Sequence, residues 1–166
     1  MTNIVKERVL KLLDEARVKY ELIKLPENIS LDVVDHMKFH GRPMKFAHAT
    51  MIYSTEKGFV AVQRRGDTKV NSKKLREFLG IKRLSLATVE DLTKMGLQPG
   101  LVPPVGLDMP VYADNKMLEL DEIYTGAADN DYGMHTTPQE LFRVNHAVMG
   151  DFTEYETEYL DHPRIL

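Results

Sequence analysis

The apolar positions of this chain change their spacing several times, and each change predicts an element. From Ile4 to roughly Val18, the residues Val5, Val9, Leu12, Leu13 and Ala16 recur every three or four positions, which predicts one apolar face on a helix. "KYELIKL" then alternates and predicts a short strand, stopped by Pro26. Leu31 to Phe39 predicts a second helix with Ser30 as its N-cap, and "GRPM" a turn. "KFAHATMIYS" and "GFVAVQR", separated by "TEK" and Gly58, predict the two strands of a hairpin.

Beyond the hairpin, capping residues divide the chain. Asn71 or Ser72 opens a helix that ends at Gly80 and turns Leu75, Phe78 and Leu79 inward. "RLSLA" predicts a short strand. Thr88, with Asp91 three residues on, opens the next helix, and Gly96 ends it. Strands are predicted near "PVYAD" and over "EIYTGAA" as far as Gly126, with "DNDYG" as a turn. Thr137 at the N-cap, Pro138 at the first helical position and Glu140 three residues from the cap start a last helix. The tail 151–166 is acidic and is expected to fray or to pack late. Helices and strands are interspersed, with no internal repeat and no linker. The expectation is a single mixed α/β domain over residues 1–166.

"QPGLVPPVGLDMP", Gln98 to Pro110, departs from this regular alternation. It holds two glycines and four prolines. Glycine permits close approach and positive φ, and proline fixes φ and removes an N–H. Such a segment is stiff, and it offers a ligand mainly its backbone.

Composition narrows the function classes. A chain of 166 residues that is 43% hydrophobic can bury one core. No apolar run reaches the length of a membrane span. Glu7, Asp14 and Glu15 interrupt the first twenty residues, which argues against a targeting peptide, so a cytoplasmic home is expected. There are no cysteines, which excludes disulfides, thiolate zinc sites and Cys nucleophiles. Net charge is −3, but residues 1–87 hold 18 Lys/Arg against 10 Asp/Glu and residues 88–166 hold 4 against 15. The sharpest basic run, Arg64 to Arg83, could serve a phosphate backbone or be only a solvated helix with its flanking turns.

Motifs for common chemistries are missing. His36 and His40 stand four apart, but Met37, Lys38 and Phe39 lie between them with no Glu in the general-base position and no third ligand in view, so no metal is expected. Ser30, Ser54, Ser72 and Ser85 lie in no G-x-S-x-G turn. There is no P-loop and no G-x-G-x-x-G, so no nucleotide cofactor is expected.

What remains is an ordered set: "RRGDTKVNSKKL", then "GLQPGLVPPVGLDMPVYAD", then "YTGAADNDYGMH". In this order and at these distances the set resembles the YbaK-type aminoacyl-tRNA deacylases, above all the editing domain inserted in bacterial prolyl-tRNA synthetases. The resemblance covers roughly residues 30–150. It implies a curved mixed β-sheet with helices around it and a pocket on one side. It also implies hydrolysis of the ester joining a wrong, small amino acid to the 3′ end of a tRNA, often tRNA for proline. The implied partners are the tRNA acceptor end and, in some settings, a synthetase. An aminoacyl ester is activated, so a held water or a substrate hydroxyl can attack it while backbone N–H groups stabilise the oxyanion.

Carried over residue by residue, Gly100 and Pro103 match the loop, Gly126 the glycine after the late strand, and His135 a substrate-side histidine. Asp67 and Asn71 match the basic-run motif. The family lysine of the first hairpin strand, set directly before a threonine, is replaced: Ala49 precedes Thr50. Three stand-ins are possible. His48 is adjacent but of the opposite strand parity, unless a bulge intervenes. Lys45 has the right parity but sits roughly 13 Å away along a strand. Lys69 would have to reach in from the basic run. The expectation is a free-standing trans-editing hydrolase. The rival reading is a binding or regulatory module that senses an amino acid or a charged tRNA end without catalysis, because Ala49 replaces the lysine.

Overall fold

The computed structural model describes residues 3–156. Helix α1 (Ile4–Glu15) is capped by Asn3, whose side chain accepts from Lys6 N. It buries Val9 and Leu13 against Val105, Leu120, Ile123, Met134 and Leu141. Strand β1 (Glu21–Lys24) and helix α2 (Val33–His40) follow. The cap of α2 is Asp32 and not Ser30: the Asp32 carboxylate accepts from Val34 N at 2.8 Å. Ser30 braces this start, accepting from Asp32 N and donating to Asp35.

A 3-10 turn (Met44–Phe46) leads into β2 (His48–Thr55), which pairs with β3 (Gly58–Arg65) in unbroken register from His48↔Arg65 to Thr55↔Gly58. No bulge re-aims His48. The chain then makes β4 (Thr68–Val70), α3 (Ser72–Leu79, capped by Asn71 and Gly80), β5 (Leu84–Leu86) and α4 (Val89–Lys94). Thr88 and Asp91 form a full capping box at α4, as their spacing predicts. Past the glycine/proline segment, β6 (Val111–Asp114) runs parallel to β3. Strands β7 (Ile123–Gly126) and β8 (Tyr132–Thr136), helix α5 (Pro138–Asn145), β9 (Val148–Gly150) and β10 (Thr153–Tyr155) complete the described residues.

The result is a mixed sheet in the order β5-β2-β3-β6-β9, an antiparallel sheet β1-β8-β7 and a small pair β4-β10. A bridge between Ala47 and Tyr124 joins the first two where β2 begins. The chain is thus a mixed α/β domain, as the interspersed pattern predicts. No helix among the described residues is long and apolar enough to cross a membrane.

Four strands have no counterpart in the sequence reading: β4, β8, β9 and β10. All are short, and Tyr132 and Gly133 of β8 belong to the predicted turn. Residues 151–156 of the acidic tail are packed and do not fray. Phe152 is fully buried, and its N–H and that of Thr153 donate to the buried Asp114 carboxylate. Residues 157–166, with the rest of that tail and His162, lie outside the described residues. Phe78, expected in the core, is more than a third exposed. It lies over Gly150, where a Cβ would meet its ring at 2.6 Å, and packs on Tyr112 and Phe152.

Candidate functional site

One cavity of about 230 Å³ gathers segments that lie far apart in the sequence. Leu31, His36, Met37 and His40 supply one side from α2 and its approach; His48, Ala49 and Thr50 supply the floor from the start of β2. Gly100, Leu101 and Val102 come from the glycine/proline segment, and Tyr124, Thr125 and Gly126 from β7, with Ala128, Asp129 and Tyr132 just beyond. The cavity borders three consecutive residues at the start of β2, His48, Ala49 and Thr50.

The glycine/proline segment acts as a shared wall. Its first half faces this cavity, while Pro103 to Pro110 border a second one against α1 and α4. The Pro104 carbonyl fixes it in place, accepting from Gln63 Nε2 and from Asn145 Nδ2 at 2.9 Å each. Gly100 sits at φ +81, where L side chains are strained, and a Cβ there would lie 2.8 Å from Leu31 Cδ1. Gly126 has open space before it.

His48 is the buried polar group of the floor, only 5% exposed. Its Nδ1 shares a 2.9 Å hydrogen bond with the Thr125 hydroxyl, tying β2 to β7. Its Nε2 is buried with no hydrogen-bond partner, as is Gln63 Oε1. Burial pushes the His48 imidazole down to about 4; the Gln63 amide opposes this from outside hydrogen-bond geometry, and the Arg64 charge adds to it. The ring is therefore neutral at pH 7 and brings no positive charge to the position that Ala49 leaves without one.

The other expected residues are distributed unevenly. Ala49 and Thr50 border the cavity, with Ala49 across from Arg64 and Thr50 across from Gln63. Arg64 is committed to the Arg65 and Thr68 carbonyls and to Met51 Sδ. Lys45 lies in the 3-10 turn over the Phe46 ring, outside the cavity lining. Lys69 is on β4, paired with Glu154, and is also outside. Asp67 is buried in a two-pronged bond to Arg65, and Asn71 caps α3. Pro103 faces the second cavity. His135 stands one layer back: its ring stacks at 4.7 Å on Tyr124, which stacks at 4.6 Å on His40, and only Tyr124 and His40 border the cavity.

The basic run is partly neutralised by the acidic half of the chain. Arg65 pairs with Glu119 as well as with Asp67 of the run itself, Lys69 with Glu154, and Lys74 with Asp151. Four cavity residues were not singled out in the sequence: Tyr124, Thr125, Asp129 and Tyr132. All four fall within "YTGAADNDYGMH", so the segment was visible although their roles were not. Among the described residues no group of three or more His, Cys, Asp or Glu could hold a metal.

Comparison with known proteins agrees with this geometry. The profile of the aminoacyl-tRNA editing domain matches residues 30–144, a span that contains every wall of the cavity. A proline–tRNA ligase of Sulfurihydrogenibium is 36% identical over 123 residues, 74% of this chain and 22% of that protein. One from Caldicellulosiruptor bescii is 41% identical over 96 residues, 57% of this chain and 17% of that protein. The chain thus spans about a fifth of the length of these curated relatives. A crystal structure proposed to be a trans-editing enzyme for prolyl tRNA synthetase superposes with a TM-score of 0.80 at 22% identity, covering 93% of this chain and 99% of that one. With two of its three motif segments, the glycine/proline loop and "YTGAADNDYGMH", meeting at one cavity inside the matched span, the chain belongs to the aminoacyl-tRNA editing domain family.

Proposed function

We propose that the chain is a trans-editing hydrolase that removes a small amino acid from the 3′ end of a mischarged tRNA, with tRNA for proline as the first candidate. The observation that carries the reading is the convergence of Gly100, Gly126 and His48 on one cavity. At about 230 Å³ the cavity falls below the usual range for drug-sized ligands, which favours a small acyl group. The segments at Gly100 and Gly126 bring backbone close to a bound ester, the placement that oxyanion stabilisation needs. His48 and Thr125 hold the floor, and water is the nucleophile. Tyr124, backed by His40 and His135, supplies a rim on which a terminal base can rest. In this role His135 acts through Tyr124. Lys45, Lys69, Asp67, Asn71 and Pro103 support the fold or the RNA body rather than the ester.

The test is hydrolysis of purified Ala-, Cys- and Ser-tRNA across proline and alanine tRNAs. Turnover above buffer on at least one is expected; none on any rejects the reading.

One observation favours a second reading. No Lys or Arg is among the described residues that border the cavity, so the site could bind a charged tRNA end without turning it over. An inert wild type that gains hydrolysis on Ala49→Lys would favour this module. An active wild type silenced by His48→Ala would exclude it.

A further inference from the structure

Asp129 is the single carboxylate among the described residues that border the cavity. It stands on the turn after β7, and both its oxygens are fixed. Oδ1 accepts from Asp131 N at 2.8 Å, and Oδ2 lies 2.8 Å from Lys6 Nζ. Lys6 is not part of the cavity wall; it sits behind the carboxylate, 4.0 Å over the ring of Tyr132. The turn is held from the same side, because Asn3 Nδ2 donates to the Ala128 carbonyl at 2.7 Å and Ala128 is kept at φ +58. Burial alone would raise the Asp129 pKa, but the Lys6 and Asp131 bonds and the charges of Lys6 and Lys24 outweigh it and draw it below the ordinary carboxylate value. Asp129 is therefore a fixed anion, and its side chain keeps 16% of its surface accessible. A carboxylate accepts about four hydrogen bonds, so both oxygens retain capacity.

The cavity thus has a negative wall at Asp129 and a neutral floor at His48, whose buried Nε2 still lacks a partner. An aminoacyl ester carries an ammonium on the carbon next to the reacting carbonyl. Enclosing that ammonium without a partner is costly, and a preplaced anion removes the cost. We propose that Asp129 binds the α-ammonium of the substrate, so that the site takes esters of free amino acids and rejects N-blocked ones. This rests on the deacylase reading and adds to it the chemical class of the acyl group. It also gives the N-terminal helix, which lies outside the span matched by the family profile, a role in the site through Asn3 and Lys6.

The experiment compares Ala-tRNA with N-acetyl-Ala-tRNA on the full chain. Wild type is expected to prefer the free amine by at least about tenfold in kcat/KM, the size of one charge-assisted hydrogen bond. Asp129→Asn, which keeps an oxygen for Asp131 N, is expected to reduce that preference to about threefold or less, mainly through KM. A wild type that hydrolyses both substrates equally overturns the assignment and leaves the deacylase reading intact. So does an Asp129→Asn variant, folded by circular dichroism, that keeps the wild-type preference. If Ala-tRNA is not turned over, the same pair is compared for the Cys or Ser ester, and hydrolysis of none of the three overturns both.

Discussion

The buried His48 ring makes the stability of this fold depend on pH in a way that can be worked out beforehand. Its ordinary pKa of 6.5 falls to about 4 in the folded chain, mainly because burial disfavours the charged ring. Above pH 6.5 the ring is neutral whether folded or unfolded, and it carries no penalty. Below that value the unfolded chain takes up a proton that the folded chain refuses, so stability is lost as pH falls from 6.5 towards 4. Near pH 4 the folded ring protonates as well, and the loss levels off. A displacement of this size corresponds to about 3 kcal/mol. The assay is urea unfolding of wild type and His48→Asn between pH 7.5 and 4.5. Other groups titrate in both proteins, so the difference between them isolates His48. Relative to the variant, wild type is expected to lose about 2–3 kcal/mol across that range. A difference that stays flat with pH, or a His48 ring whose NMR signals titrate near 6.5, would refute the reasoning.

Two further substitutions test how the site is supported. Gly66→Ala places a Cβ 2.5 Å from Ala47 Cβ and 2.7 Å from the Met44 carbonyl, so the backbone leading into His48 must shift. A loss of about 1–3 kcal/mol in urea unfolding is expected, together with reduced hydrolysis. Asp67→Ala leaves the buried Arg65 guanidinium with the Lys116 carbonyl, the largely exposed Glu119 and the Tyr155 ring. Removing one member of a buried pair should cost about 3 kcal/mol, read as a lower urea midpoint at unchanged slope.

The parts of the fold that were legible in the sequence are those fixed by local chemistry. The caps at Asn71, Gly80, Thr88 and Thr137 are side-chain or positive-φ requirements of single residues, and each stands where its pattern predicts. The β2–β3 hairpin was readable because both strands carry continuous β-type runs around a short turn. Ser30 was displaced by Asp32 because both can cap, and a charged acceptor nearer the helix makes the better bond. Strands β4, β9 and β10 were not legible because each is three residues long and exists only through a partner distant in sequence, such as Thr153 opposite Val70. The site divides along the same line. Gly100, Gly126, Ala49 and Thr50 reach the cavity through backbone placement that the motif order anticipates. Tyr124, Thr125 and Asp129 depend on how β7 and its turn meet α1 and β2, contacts that no local pattern encodes.

In the proposed function the ester is hydrolysed in the cavity between Gly100 and Gly126, and Gly126 offers the most direct probe. Gly126 borders the cavity and a Cβ there meets nothing within 4 Å, so a larger side chain can be set at the cavity wall without a clash at its Cβ. The decisive measurement is the deacylation rate of mischarged Ala-tRNA by wild type and by Gly126→Leu, alongside the thermal midpoint of each. Wild-type turnover, loss of nearly all of it in Gly126→Leu, and closely similar midpoints are expected. A Gly126→Leu protein that is folded and hydrolyses Ala-tRNA at the wild-type rate would contradict the proposal.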